Sequence, residues 1–192
     1  MKTLILSLFA LLFSYSLQAQ TGLKVGDKAP EFIAKNSEGK EINLKELLKT
    51  NKSVVLFFYR GQWCPYCNKH IKDLQDSLTS LSAKGAYVLG VTPESDESIT
   101  KTKDKTKASF SLLSDKGYKI MKAYKVDFVM EEGLVSKYKG YGIDVAKNNG
   151  ALDAVLPVPA TYIIGKNGRI KFVQFDKDYK KRASVKELAA IL

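Results

Sequence analysis

The run Val54-Val55-Leu56-Phe57-Phe58-Tyr59, followed by Arg60-Gly61-Gln62-Trp63 and then Cys64-Pro65-Tyr66-Cys67, constrains the chain more than any other stretch. Six consecutive apolar or aromatic residues are too continuous for a strand with one wet face, and they predict a central strand covered on both sides. Beyond Cys67, the spacing of Ile71, Leu74, Leu78 and Leu81 at three and four residues predicts one face of an amphipathic helix. Pro65 suits the first helical position, where its missing N–H costs nothing. Cys64 is thereby placed at a helix N-terminus, with Cys67 one turn along.

That placement has chemical consequences, because the thiolate and not the thiol is the nucleophile. The free N–H groups and the positive end of the helix dipole lower the pKa of a cysteine so placed to about 3.5–7.5. On this reading Cys64 is the attacking sulfur, Cys67 resolves the mixed disulfide, and Arg60 adds positive charge nearby. A disulfide between residues three apart constrains little of the unfolded chain. Redox chemistry is therefore expected of the pair rather than structural stapling. A Cys-x-x-Cys after an apolar strand, preceded by Trp63, resembles the thioredoxin superfamily. The longer phrase Phe58-Tyr59-Arg60-Gly61 with Trp63 to Cys67 resembles a peroxiredoxin-like branch of the alkyl hydroperoxide reductase/thiol-specific antioxidant (AhpC/TSA, redoxin) family.

Residues 1–19 read as a signal peptide: Lys2 near the start, an apolar run from Leu4 to Phe13, and a more polar approach to Ala19. The apolar run is shorter than the roughly 20 residues that span a bilayer. An exported, periplasmic or extracytoplasmic domain over residues 20–192 is expected, with no stable membrane insertion once the signal is removed. The formal net charge is +11, from 31 Lys and Arg against 20 Asp and Glu. Lys101, Lys103, Lys105 and Lys107 alternate and cannot share one helical face, so a solvated surface is expected rather than a nucleic-acid site.

In chain order, Phe32–Ala34 and Glu41–Leu44 form a hairpin about Asn36–Gly39, and Lys45–Lys49 a short helix. Ala86–Val91 is a second apolar strand, joined to the first by a right-handed parallel crossover. Thr92 and Pro93 then fall at the cysteine edge of the sheet. Helices over Ser95–Lys107 and Lys116–Tyr124 flank a strand over Phe110–Leu113. Residues 125–156 read either as a surface excursion or as a pocket wall beside the cysteines. A strand over Tyr162–Ile164, a turn at Gly165–Gly168, a return strand to Phe175 and a final helix capped by Ser184 complete the chain. The fold class is α/β, a mixed sheet flanked by helices.

The phrase Val25-Gly26-Asp27-Lys28-Ala29-Pro30 with Phe32, and the ending Phe175-Asp176-Lys177-Asp178-Tyr179 with Arg182, add to the redoxin resemblance. It implies a thioredoxin-like fold in which Pro159, or alternatively Pro157, is a cis proline facing the cysteines. Typical peroxiredoxins hold peroxide with a Pro-x-x-x-Thr-x-x-Cys motif and an arginine. Setting Cys67 in the peroxidatic place puts Cys64 where Thr stands, Arg60 where Pro stands, and Pro159 roughly where the arginine is expected. In that register the peroxide-binding groups are missing. Thioredoxin's buried acid, six residues before the first cysteine, is Phe58 here.

The leading expectation is an exported thiol:disulfide oxidoreductase with Cys64 and Cys67 catalytic. Trp63, Tyr66, Pro159, Arg60 and Thr92 are its expected substrate-binding residues. Its partners would be protein or small-molecule disulfides and thiols together with a redox partner. The alternatives are a peroxiredoxin-like, antioxidant thiol peroxidase, and a basic envelope-binding protein with an incidental disulfide. No cofactor or metal is called for: His70 is the sole histidine, and a solvent-facing helix position is expected for it.

Overall fold

A computed structural model describes residues 22–192, so the signal-peptide expectation for residues 1–19 lies outside the described residues. The elements in order are β1 (Ile33–Lys35), β2 (Glu41–Asn43), α1 (Leu44–Thr50), β3 (Ser53–Phe58), α2 (Pro65–Asp76), α3 (Leu78–Ala83), β4 (Ala86–Thr92), α4 (Asp96–Thr106) and β5 (Ser111–Ser114). They continue as α5 (Lys119–Ala123), β6 (Asp127–Val129), α6 (Glu132–Gly140), α7 (Val145–Asn149), β7 (Val155–Pro157), β8 (Ala160–Gly165), β9 (Ile170–Phe175) and α8 (Val185–Ile191).

The apolar run occupies the middle of a mixed five-stranded sheet in the order β5-β4-β3-β8-β9. All six residues of β3 are buried, and all but Ser53 at its start are apolar, so neither face of the strand reads as wet. Their alternation sorts them to two cores. Val54, Leu56 and Phe58 pack with Leu44, Leu48, Ile120 and Met121 on one face of the sheet. Val55, Phe57 and Tyr59 pack with Ile71, Leu74, Ile99 and Leu188 on the other. β3 runs parallel to β4 and antiparallel to β8. The hairpin β1–β2 and the strand-helix-strand crossover β3-α2-β4 form as the patterning predicts.

Two features differ from expectation, and a third resolves a stretch that the sequence left open. The predicted long helix breaks at Ser77, which takes φ −105° and ψ 6°, and Ser80 Oγ donates to its carbonyl at 2.8 Å. Leu81 remains buried beyond the break, so the apolar spacing carried no sign of it. The helix expected from Lys116 starts only at Lys119, because Gly117 and Tyr118 take φ 79° and 62° to turn the chain. Residues 125–156 form a folded layer, with β6 antiparallel to β7 and a small core of Met130, Val145, Ala154 and Leu156 against which Trp63 and Tyr138 pack.

Leu74 is fully buried where α2 crosses the sheet. Leu74→Ala is expected to cost about 2–5 kcal/mol, read as a lowered urea midpoint at unchanged m-value.

Candidate active site

The sheet register fixes where the cysteine loop emerges. Phe58 lies opposite Val91 of β4 and Ala160 of β8, and Tyr59 N donates to Val91 O at 3.0 Å. Thr92 and Pro159 therefore flank the end of β3 from which the loop leaves. Gly61 then turns the chain at φ 156°, and a Cβ there would lie 2.5 Å from Glu94 Oε1. Cys64 N donates to Gly61 O at 3.0 Å. Cys64 is the N-cap of α2, with Pro65 in the first turn as predicted, and its sulfur accepts from Cys67 N at 3.4 Å. The two cysteines are unbridged and both buried.

The acidities run opposite to the expected order. Burial opposes ionisation of Cys67, but hydrogen bonding from Cys64, the charge of Arg182 and the backbone N–H of Arg60 together bring it down to about 6. Arg182 Nη2 lies 3.4 Å from Cys67 Sγ. Cys64 is pushed up, first by its hydrogen bond to Cys67, then by burial and the Cys67 charge. These influences favour a Cys67 thiolate with a Cys64 thiol beside it. Helix-start position alone predicted the reverse, because it takes no account of a cation arriving from elsewhere in the chain.

That cation is carried by the segment between β9 and α8. Arg182 also donates to Tyr179 O, and to Lys181 O at 2.7 Å, which orients its side chain. Ser184 and Glu187 cap α8 reciprocally, and the buried Leu188 ties the helix to the core beneath the cysteines. With Pro159 standing roughly where the family's arginine was expected, that register was read as missing its peroxide-binding groups; this contact corrects the reading by bringing an arginine to Cys67 from elsewhere in the chain. The residue was noted only as part of a terminal phrase, since 115 positions separate it from Cys67.

Arg60 is buried and stands over three rings, 4.4 Å from the centroid of Tyr179, 5.0 Å from Trp63 and 5.3 Å from Tyr138. It also donates to the Tyr138 hydroxyl. Trp63 meets Tyr138 edge-on at 5.4 Å, and Tyr66 meets Tyr179 at 5.8 Å. These residues and Cys64 line a cavity of about 360 Å³. Residues 125–156 are accordingly a pocket wall. Arg60, Trp63 and Tyr66 come together with Cys64 there, whereas Thr92 and Pro159 lie at the sheet end outside that lining.

Two further expectations are corrected. No peptide bond among the described residues is cis, so Pro157 and Pro159 are both trans. Pro157 ends the paired strand β7 and Val158 N donates to Val126 O at 2.7 Å, which holds this stretch extended. His70 is buried, not solvent-facing; burial and Arg182 lower it to about 4, so it is neutral. It sits edge-on to Phe57 at 5.4 Å. The signal was present, since Cys67, His70, Ile71 and Leu74 follow one helical stripe. Among the described residues no cluster of three or more His, Cys, Asp or Glu could hold a metal, and no helix is long and apolar enough to cross a membrane.

The AhpC/TSA family description matches residues 25–173. The chain belongs to this family. A Helicobacter pylori relative of the bcp type is 39% identical over 103 residues, which cover 54% of this chain and 66% of that relative. Peroxiredoxin Q of Sedum lineare chloroplasts is 29% identical over 167 residues, covering 87% and 76%. Peroxidoxin BcpB of Mycobacterium tuberculosis superposes with a TM-score of 0.70 at 19% identity, covering 88% and 96%. A cysteine-to-serine mutant of PrxQ from Xylella fastidiosa does so at 0.65, also at 19% identity, covering 89% and 94%. The expected thioredoxin-like fold is thus the fold of this AhpC/TSA member. Membership carries the class of chemistry, thiol-based oxidoreduction.

Within this AhpC/TSA chain the sequence reading missed Tyr138 and Tyr179 as lining residues and Glu94 behind the loop. Tyr138 gave a sign only as one aromatic among the lysines and glycines of residues 125–156, and Tyr179 only as part of the terminal phrase. Replacing Arg182 with Ala is expected to raise the Cys67 thiolate pKa from about 6 by about one to three units, read by ultraviolet thiolate absorbance against pH.

Proposed function

We propose that the protein is a thiol-dependent peroxidase in which Cys67 attacks a hydroperoxide and Cys64 resolves the product. The observation that carries this reading is the Arg182 guanidinium on a buried Cys67 sulfur already flanked by the Cys64 thiol. In the family register Cys64 stands where a Thr hydroxyl is usual, and its S–H supplies the hydrogen bond that the hydroxyl would give. The wholly buried Cys67 favours a small reactant over a protein disulfide. Relatives named peroxiredoxin point the same way.

The Cys67 thiolate attacks the terminal peroxide oxygen, an S–O bond forms as O–O breaks, and the departing alkoxide takes one proton from its surroundings to leave as the alcohol. Cys64 then attacks the Cys67 sulfenic acid; the S–S bond forms and the hydroxide departs as water with the Cys64 proton. Return to the dithiol needs an external thiol. Cys64 lines the cavity and Cys67 does not, so the reductant attacks the Cys64 sulfur, with Trp63 and Tyr66 shaping the contact. The disulfide exchange expected from the sequence thereby becomes the recycling half of the cycle.

Stopped-flow mixing of reduced protein with hydroperoxide tests the assignment. Cys67→Ser is expected to consume none. Cys64→Ser should consume one equivalent and stall, with dimedone trapping a sulfenic acid at Cys67. A burst that survives in Cys67→Ser and vanishes in Cys64→Ser would transfer the attack to Cys64. The rate should level off above about pH 6 and fall about tenfold per unit below it, following the thiolate fraction.

We further propose export, on the signal-like pattern of residues 1–19. Intact-mass analysis of protein from the native host should place the mature N-terminus just after Ala19. A mature chain that retains Met1 would refute it.

A further inference from the structure

Glu94 is a buried acid that the cycle above does not use. It lies two residues beyond β4, after Pro93, and its backbone is fixed by Thr92 Oγ1 accepting from Glu94 N at 3.4 Å and by Ser114 Oγ donating to Glu94 O at 2.6 Å. Its side chain is turned toward the cysteine loop, where Oε2 accepts from Gln62 N at 2.8 Å. Oε1 is buried with no hydrogen-bond partner, and so is Trp63 Nε1. Both atoms lie within 2.6 Å of the point a Gly61 Cβ would occupy, so the absence of a side chain there is what lets the carboxyl approach the loop.

The charged and titratable groups facing Glu94 are Cys67 from α2, Tyr59 from the end of β3, and Lys101 and Lys105 from α4. Neither lysine bonds the carboxyl: Lys105 Nζ is committed to Gln62 O and Oε1 at 3.2 and 2.5 Å, and Lys101 pairs with Glu97. An acid so enclosed and unpaired, next to a thiolate, favours its neutral form. Burial first, then the Cys67 charge, raise it to about 8 against the opposing Gln62 hydrogen bond.

We propose that Glu94 is a positioning residue that stores a proton for the Cys64–Cys67 pair, holding it while the pair is reduced and giving it up as the disulfide forms. The balance closes on this assignment. Alcohol and water together carry three hydrogens: one from the hydroperoxide, one from the Cys64 thiol and one from Glu94. The negative charge that begins on Cys67 ends on the Glu94 carboxylate, so the pocket holds one negative charge before and after oxidation. The thiolate's disappearance removes the repulsion that kept Glu94 protonated.

This inference rests on the dithiol–disulfide cycle proposed above, and its test sets the redox state with reduced and oxidised dithiothreitol instead of hydroperoxide. Near pH 7, between the two ionisations, reduction of the disulfide should take up about two protons per pair in the wild type and about one in Glu94→Gln. Infrared difference spectra of the wild type should show a protonated-carboxyl C=O band in the reduced form that disappears on oxidation; this reading does not depend on how the variant folds. One proton in the wild type, an unchanged carboxyl band, or failure of the pair to form a disulfide overturns the proposal. Two-proton uptake in a protein that reduces no hydroperoxide upholds Glu94 and refutes the peroxidase reading instead.

Discussion

The contact between the Arg182 guanidinium and the Cys67 sulfur is what the rest of the site depends on. Full burial alone can raise a thiol by up to about 3–5 units, whereas one opposite charge within hydrogen-bonding range returns about 1–3. Arginine alone would therefore not keep a wholly buried sulfur ionised. The Cys64 S–H and the Arg60 backbone N–H, both from the loop between β3 and α2, supply the remainder, and Arg182 joins them from the far end of the chain. Cys64 stays protonated as the counterpart of the same arrangement, since it is the donor in that pair. In the proposed cycle one sulfur is thereby ready to attack while the other keeps the proton that water formation requires.

The scaffold brings these groups together by simple means. A strand buried on both faces can end only where its neighbours end, so β3 delivers the cysteine loop to a fixed edge beside β4 and β8. α2 starts there and turns Cys67, His70 and Leu74 inward. α8 docks on the same core through Leu188, and the turn preceding it carries Arg182 to Cys67. The N-terminal helix dipole contributes to this site, but it does not choose between the two sulfurs.

The layer formed by residues 125–156 supplies an outer wall. Tyr138 packs edge-on against Trp63 and joins Tyr179 around Arg60, so a guanidinium with little solvent access is held by ring faces instead of a carboxylate. A carboxylate in that place would add a negative charge beside the thiolate. Aromatic rings hold the cation without neutralising it, and its charge still favours ionisation of Cys64.

Much of this was legible in the chain itself. The unbroken run Val54 to Tyr59 could only be a central strand, Pro65 and the apolar spacing fixed the helix start, and Cys64 and Cys67 followed as a pair one turn apart at that start; all of these are local patterns. The break at Ser77, the inward turn of His70 and the trans prolines escaped a local reading, because packing and strand pairing decided them. Which cysteine ionises was a tertiary outcome, set by Arg182 arriving across 115 positions. Charge interactions act through space and leave no periodicity along a sequence, whereas burial of strands and helices does. The residues therefore determined the framework and the reacting atoms, and the fold alone determined how protons and charge are shared between them.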